Sequence, residues 1–426
     1  MKNLAINKLL IVGLMAIAIL ASCGDDDTDE PSGPDAGFLM SNIDALGEVN
    51  IGLTVPTVYP ENLATTGPLA PAAYNGQVTR VEQLRQIRGV LRDQPITADL
   101  GDALRNGNNE LFTGVAVSTT EIRTKIDELN FDNGDQSVAD DFEVLADLLV
   151  SSSNDNTGTA SDGTAGILGD RHFSARGLEY AQILEKGLYG PLLYNQLAAD
   201  YLRPAQAGAQ STNNVTDAGD DYASEGTARQ HAFDESFGYF AVNPATYPNL
   251  ANTSNGDGEF ISNYTFDFSD ETEEAYGINL AQRVFDSYLF GRTVLKAGEG
   301  NTSLEETTNE ELYNAARADV LLYTEAGIAA AAFHYLNLTL TDVDPADRLH
   351  HFSEALAFIY TLAWGAPGES RITSAQVFTV LDGLGWGSND LEGVYDIDCW
   401  NVTNDQVEAA RQALDTYFPG FADVPF

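Results

Sequence analysis

"VTRVEQLRQIRGVLRD" (residues 78–93) is where the chain changes character. Val78, Val81, Leu84, Ile87 and Val90/Leu91 recur every three to four residues, which lines one face of an α-helix. The same period returns over roughly 138–152, 174–203, 226–240, 274–297, 309–338, 345–364, 373–384 and 404–417. Start signals accompany several of these segments. Ser174 is read as opening 174–203, Asp344 caps a helix with Pro345 in its first turn, and Thr403 precedes the last one. Strand-type alternation is sparse, so the fold class is all-α.

Before residue 78 the pattern is different. From about Phe38 to Gln77, prolines and Gly/Asn punctuation without helical period predict extended or irregular chain lying on the body. Two later stretches, 205–225 and 241–272, are rich in Asn, Asp, Gly, Ser and Thr and are read as long loops. In "GLEYAQILEKGLYGPLLYNQLAADYL" (177–202), Gly187 and Gly190 allow close helix contact and Pro191 removes a backbone donor. A kink or break near 187–191 is expected there. Glu179, between Leu178 and Tyr180, has no i,i+4 cationic partner and is a candidate buried acid.

The first residues carry targeting information. Lys2 and Lys8 lead into an apolar run, Leu9 to Ala21, that ends in "LASC" (20–23). That is a secretory signal with the small residues before cysteine that resemble a bacterial lipobox, making Cys23 the lipidation site and residues 1–22 a cleaved signal peptide. The acidic stretch that follows, 23–37, is a flexible tether. An acidic run at this place resembles the export signal of Bacteroidetes-type surface lipoproteins. The expected location is therefore the outer membrane, lipid-anchored and facing the exterior, with the membrane contacted through the N-terminal lipid.

The chain carries a formal net charge of −43, and loss of Lys2 and Lys8 makes it two charges more negative. Such a surface excludes nucleic acid and polybasic docking to anionic lipid. After lipidation of Cys23 only Cys399 is left, so neither a disulfide framework nor a cysteine metal cluster can form. The fold rests on its core. The body is divided into a first helical half, 38–225, and a second, 226–426, with one compact unit as the alternative.

One motif occurs twice. "RQHAFDE" (229–235) and "RLHHFSE" (348–354) both read Arg-x-His-x-Phe-x-Glu in a chain with five histidines. On a helix, His231 and Glu235 share a face, as do His350 and Glu354. An imidazole beside a carboxylate is half of a metal site or a self-satisfied polar pair. Asp234, Glu179, His351 and His334 are the candidate further donors for a divalent metal, iron or zinc. Arg229 and Arg348, two residues before their histidines, face elsewhere and are read as supporting contacts to solvent or a neighbouring helix. No phosphate loop, His-Glu-x-x-His or Gly-x-Ser-x-Gly is present, and no catalytic nucleophile can be named.

"AYNGQVTRVEQL" (73–84), "GLEYAQILEKGLYG" (177–190), "HAFDESFGYF" (231–240) and "HHFSEALAFIYTL" (350–362) resemble, in order, the uncharacterised lipoproteins grouped as domain of unknown function 4856. That resemblance implies partnership with iron-uptake and TonB-dependent receptor systems. "HFSE" (351–354) is also similar to the His-x-x-Glu signature of imelysin-like proteins. These fold as two helical bundles and include iron-regulated surface lipoproteins and described metallopeptidases. The glycine usual before that histidine is replaced here by Arg348, Leu349 and His350, which argues against carrying peptidase chemistry over. The expected function is ligand binding in metal or iron acquisition beside an outer-membrane transporter. The alternatives are a metal-dependent hydrolase and a purely structural transporter accessory.

Overall fold

The computed structural model describes residues 36–92, 158–202, 222–244, 258–299, 308–389 and 391–426. The signal segment, Cys23, most of the tether, the 138–152 helix, most of the 205–225 loop and positions 245–257 of the 241–272 loop lie outside the described residues.

What is described is all-α, with a single antiparallel pair of three-residue strands, β1 (Gly166–Leu168) and β2 (Arg171–Phe173). A short helix α1 (Asn42–Ala45) and irregular chain precede α2 (Asn75–Arg92). After the strands come α3 (Tyr180–Gly187), two π-helical turns (Tyr189–Tyr194 and Gln196–Tyr201), α4 (Tyr222–Glu225) and α5 (Ala228–Tyr239). The chain continues through α6 (Ile261–Asp267), α7 (Ser269–Tyr276), α8 (Leu280–Ala297) and the 34-residue α9 (Thr308–Thr341). It ends with α10 (Pro345–Leu362), α11 (Ser374–Gly383) and α12 (Asn404–Asp415). Residues 34–426 form one compact unit, and elements on both sides of position 225 contribute to its one hydrophobic core.

Helix α9 is the axis of the body. Ala329 to Phe333 are fully buried, and Gly327 brings the backbone so close to Thr265 that a Cβ would lie 2.5 Å from its Oγ1. A helix that is apolar on all sides belongs in the interior, and small residues let its neighbours approach. α8, α10 and α6 pack around it. α10 has Asp344 as N-cap, accepting from the Ala346 and Asp347 amides, with Pro345 in its first turn. Thr403 caps α12 with a full capping box to Gln406.

Two readings are corrected. Ser174 does not open a helix: its Oγ accepts from the amides of Arg176 and Leu178 in a turn, and α3 starts later with Glu179 as N-cap. The supposed loop 241–272 contains α6 and much of α7, because Ile261, Phe266 and Phe268 are driven into the core despite polar neighbours. The break expected at 187–191 is a change of helix type. Pro191 has no amide to give, and the chain widens from α to π across it. Of the two glycines only Gly190 makes a close contact, with the indole of Trp364.

The N-terminal arm is irregular, as expected, and is fastened to α9. Asp319, fully buried, accepts from Ser41 Oγ (2.6 Å) and the amides of Asn42 (2.6 Å) and Ile43 (3.1 Å). Among the described residues no helix is long and apolar enough to cross a membrane.

Candidate functional site

The site forms where α3 packs against α10, at the end of α9. His350 and Glu354 are one turn apart on α10, with Nε2 and Oε2 separated by 3.3 Å. The other nitrogen of His350, Nδ1, lies 2.6 Å from Glu179 Oε2. Glu179 can reach because it makes no side-chain cap to its own helix, while its amide donates to Ser353 Oγ at 2.9 Å. The next residue, His351, repeats the arrangement: its Nδ1 is 2.6 Å from Oδ2 of Asp342, just past the end of α9. A donor atom from each of His350, His351 and Glu354 lies within 4.8 Å of the other two, a group of three that could hold a metal ion.

Beneath this group is a buried lysine. Lys186 on α3 is 3% exposed, and its Nζ is 2.9 Å from Glu354 Oε1 and 3.9 Å from Glu185 Oε2. It also donates to Gln182 Oε1, one turn earlier. Burial by itself would favour the neutral amine, but Glu354 and then Glu185 pull the Lys186 pKa above its ordinary value, so the ammonium persists. Glu185 in turn accepts from Tyr189 Oη at 3.0 Å. Glu354 and Glu185 thus face the ammonium, while Glu179 and Asp342 are held on the two imidazoles.

The walls are aromatic. Tyr335 stacks on Phe358 (5.6 Å between centroids) and on His351 (5.9 Å), and its hydroxyl donates to Tyr264 Oη at 3.4 Å. Burial raises the pKa of both phenols, so they are neutral. His334 lies near His351, and burial pushes its pKa below the ordinary imidazole value, which keeps it uncharged. Arg171 on β2 pairs with Asp347 at 2.8 Å on the outer side of α10.

The first copy of the motif is built differently. His231 Nε2 is 3.6 Å from Glu235 Oε2 and 3.8 Å from Glu225 Oε2, and Glu235 accepts from Gln77 Nε2 at 2.7 Å. Asp234 points away: fully buried, it pairs with Arg292 (2.8 Å) and accepts from Tyr59 Oη (2.6 Å). Arg229 is buried against a neighbouring helix, its guanidinium 4.2 Å from the centroid of Tyr313 on α9. Arg348 donates to the carbonyls of Thr339 and Val402, tying the end of α9 to the turn before α12. Among the described residues, the three-donor group arises only at the second copy.

Lys186, Asp342 and Glu185 escaped the sequence reading. The one available signal was a lone Lys-Glu pair inside the apolar segment 177–202. Two cavities of about 380 Å³ and 590 Å³ open elsewhere, along the N-terminal arm, and none of the cluster residues lines either.

Residues 69–418 match the family described as domain of unknown function DUF4856, and the chain belongs to that family. No curated protein and no solved structure matches it.

Proposed function

We propose that this protein is a lipid-anchored surface lipoprotein that takes up a divalent transition metal at His350, His351 and Glu354, as a binding step in metal acquisition beside an outer-membrane transporter. The observation that carries the metal reading is the pinning of both imidazoles. Each has Nδ1 held by a carboxylate at 2.6 Å, Glu179 for His350 and Asp342 for His351. Metal-ligating histidines are held this way, with the non-ligating nitrogen fixed as donor to the carboxylate and the ligating nitrogen made more basic. Nε2 is then the atom each ring has to offer. In a tetrahedral zinc site, bonds of about 2.0–2.2 Å place two ligand atoms roughly 3.3–3.5 Å apart. His350 Nε2 and Glu354 Oε2 stand 3.3 Å apart. Two imidazoles and one carboxylate suit zinc or ferrous iron over calcium or magnesium. The acidic surface favours approach of cations.

Leucine replacements at His350 and Glu354 would strand the Lys186 ammonium, so glutamine at the histidines makes the cleaner test. Protein purified without chelator or histidine tag is expected to contain metal, and added Zn²⁺ should raise its melting temperature. Saturation at a hundred times Kd is worth about 2.7 kcal/mol. The pair His350→Gln/His351→Gln should lose that response, while His231→Gln should keep it. No metal-dependent shift in the wild type would retire the reading.

The competing reading is a metal-dependent hydrolase on the same residues. It is favoured by the count of three protein ligands, which leaves a coordination position open for water. Turnover of a peptide library by zinc-loaded protein, lost in His351→Gln, would decide for it.

A further inference from the structure

We propose that the Lys186 ammonium stands in the place of a second cation, so that the cluster holds one exchangeable metal ion and not a pair. The proposal rests on the metal-binding reading above and concerns how many ions the site admits.

Three oxygens from three side chains converge on Lys186 Nζ: Glu354 Oε1 at 2.9 Å, Gln182 Oε1 at 2.5 Å and Glu185 Oε2 at 3.9 Å. Lys186, Glu185 and Glu354 lie in the core, no more than 4% exposed. Lysine is almost never buried to that extent without such compensation. Glu354 divides its two oxygens. Oε1 faces the ammonium and Oε2 faces His350 Nε2. A carboxylate with one oxygen on each of two cations is the bridging element of two-metal sites, whose ions sit about 3.5–4 Å apart. Here the outer cation place is lined by imidazoles and the inner one is taken by Nζ.

The two places differ in chemistry. The outer donors are nitrogen-rich and suit zinc or ferrous iron, whereas the inner donors are all oxygen and suit manganese, magnesium or calcium. A tethered single charge in the inner place blocks that hard cation. It also repels the ion in the outer place, which weakens its hold. For a protein that must pass its metal on, weaker and single occupancy is the useful state.

Two variants separate charge from space. Lys186→Met removes the charge and fills the volume, so one Zn²⁺ should bind, about tenfold tighter or more because the repulsion is gone. Lys186→Ser removes the charge and opens the volume, so Zn²⁺ and Mn²⁺ supplied together should load two ions per chain. Elemental analysis after gel filtration gives the stoichiometry, and melts with Mn²⁺ give the stabilisation, which should appear in Lys186→Ser and not in the wild type. If Lys186→Ser is unfolded without metal, recovery of its helical signal on adding Mn²⁺ supports the proposal. Failure to recover at millimolar Mn²⁺ overturns it. One ion in a folded Lys186→Ser, with no response to Mn²⁺, also overturns it. A wild type that binds no Zn²⁺ is a different result, because it removes the metal site itself.

Discussion

Glu325 offers a test of how this core treats charge. It sits on α9, 2% exposed, and its carboxylate accepts from the amides of Arg371 (3.1 Å and 3.0 Å) and Ile372 (3.4 Å) in the turn before α11. Burial raises its pKa more than those two amides and the Arg371 charge lower it, and the balance moves it from 4.5 to about 7. The sign follows from linkage. Between the two values the unfolded chain has released the proton and the folded chain keeps it, so folding weakens as pH rises through this window. At about 1.36 kcal/mol per pH unit, the interval amounts to roughly 3 kcal/mol, complete a little above pH 7. Glu325→Gln keeps a carbonyl oxygen for the two amides and cannot ionise. Urea denaturation of both proteins, followed by circular dichroism from about pH 4.5 to about pH 8, isolates this group from the other titrating residues. The variant should be close to wild type at the acid end and more stable by about 3 kcal/mol at the alkaline end. A difference that stays flat with pH, or that turns in favour of the wild type, would show that the two amides hold the anion better than burial disfavours it.

Two further substitutions examine the packing that positions the site. Gly190→Ala would place a Cβ 2.3 Å from Trp364 Cδ1, and overpacking of this kind costs about 1–3 kcal/mol, whereas Gly187→Ala meets no atom within 4 Å and should have little effect on the urea midpoint. Arg292→Met leaves the fully buried Asp234 without its cation and should cost about 3–5 kcal/mol in the same assay, with much of it regained in Arg292→Met/Asp234→Leu; equal stability of the first variant and the wild type would refute the pairing argument.

The doubled motif shows how far local pattern reaches. In both copies the i,i+4 spacing brings the imidazole and the carboxylate together, at 3.6 Å in one and 3.3 Å in the other. Their surroundings then diverge. α5 turns Asp234 towards Arg292 and Arg229 towards Tyr313, whereas α10 is met by Glu179 and Lys186 from α3 and by Asp342 from the end of α9.

What the sequence determined by itself is what the backbone settles within a turn or two. The helical period fixed the all-α class and the long helices, Asp344 and Thr403 fixed two helix starts, and the spacing of His350 and Glu354 put them on one face. These follow from 3.6 residues per turn and from orphan amides at helix ends, and neither depends on the rest of the chain. Tertiary structure alone decided which residues became a site. Glu179 and His350 meet at 2.6 Å although 171 positions separate them, and Lys186 becomes a buried counter-ion only because α10 lies across α3. It also decided that 261–272 is mainly helical, since three apolar side chains entering the core outweigh a composition that reads as loop. Burial and convergence are properties of which helices pack together, a choice made by the summed core and by no short stretch of sequence.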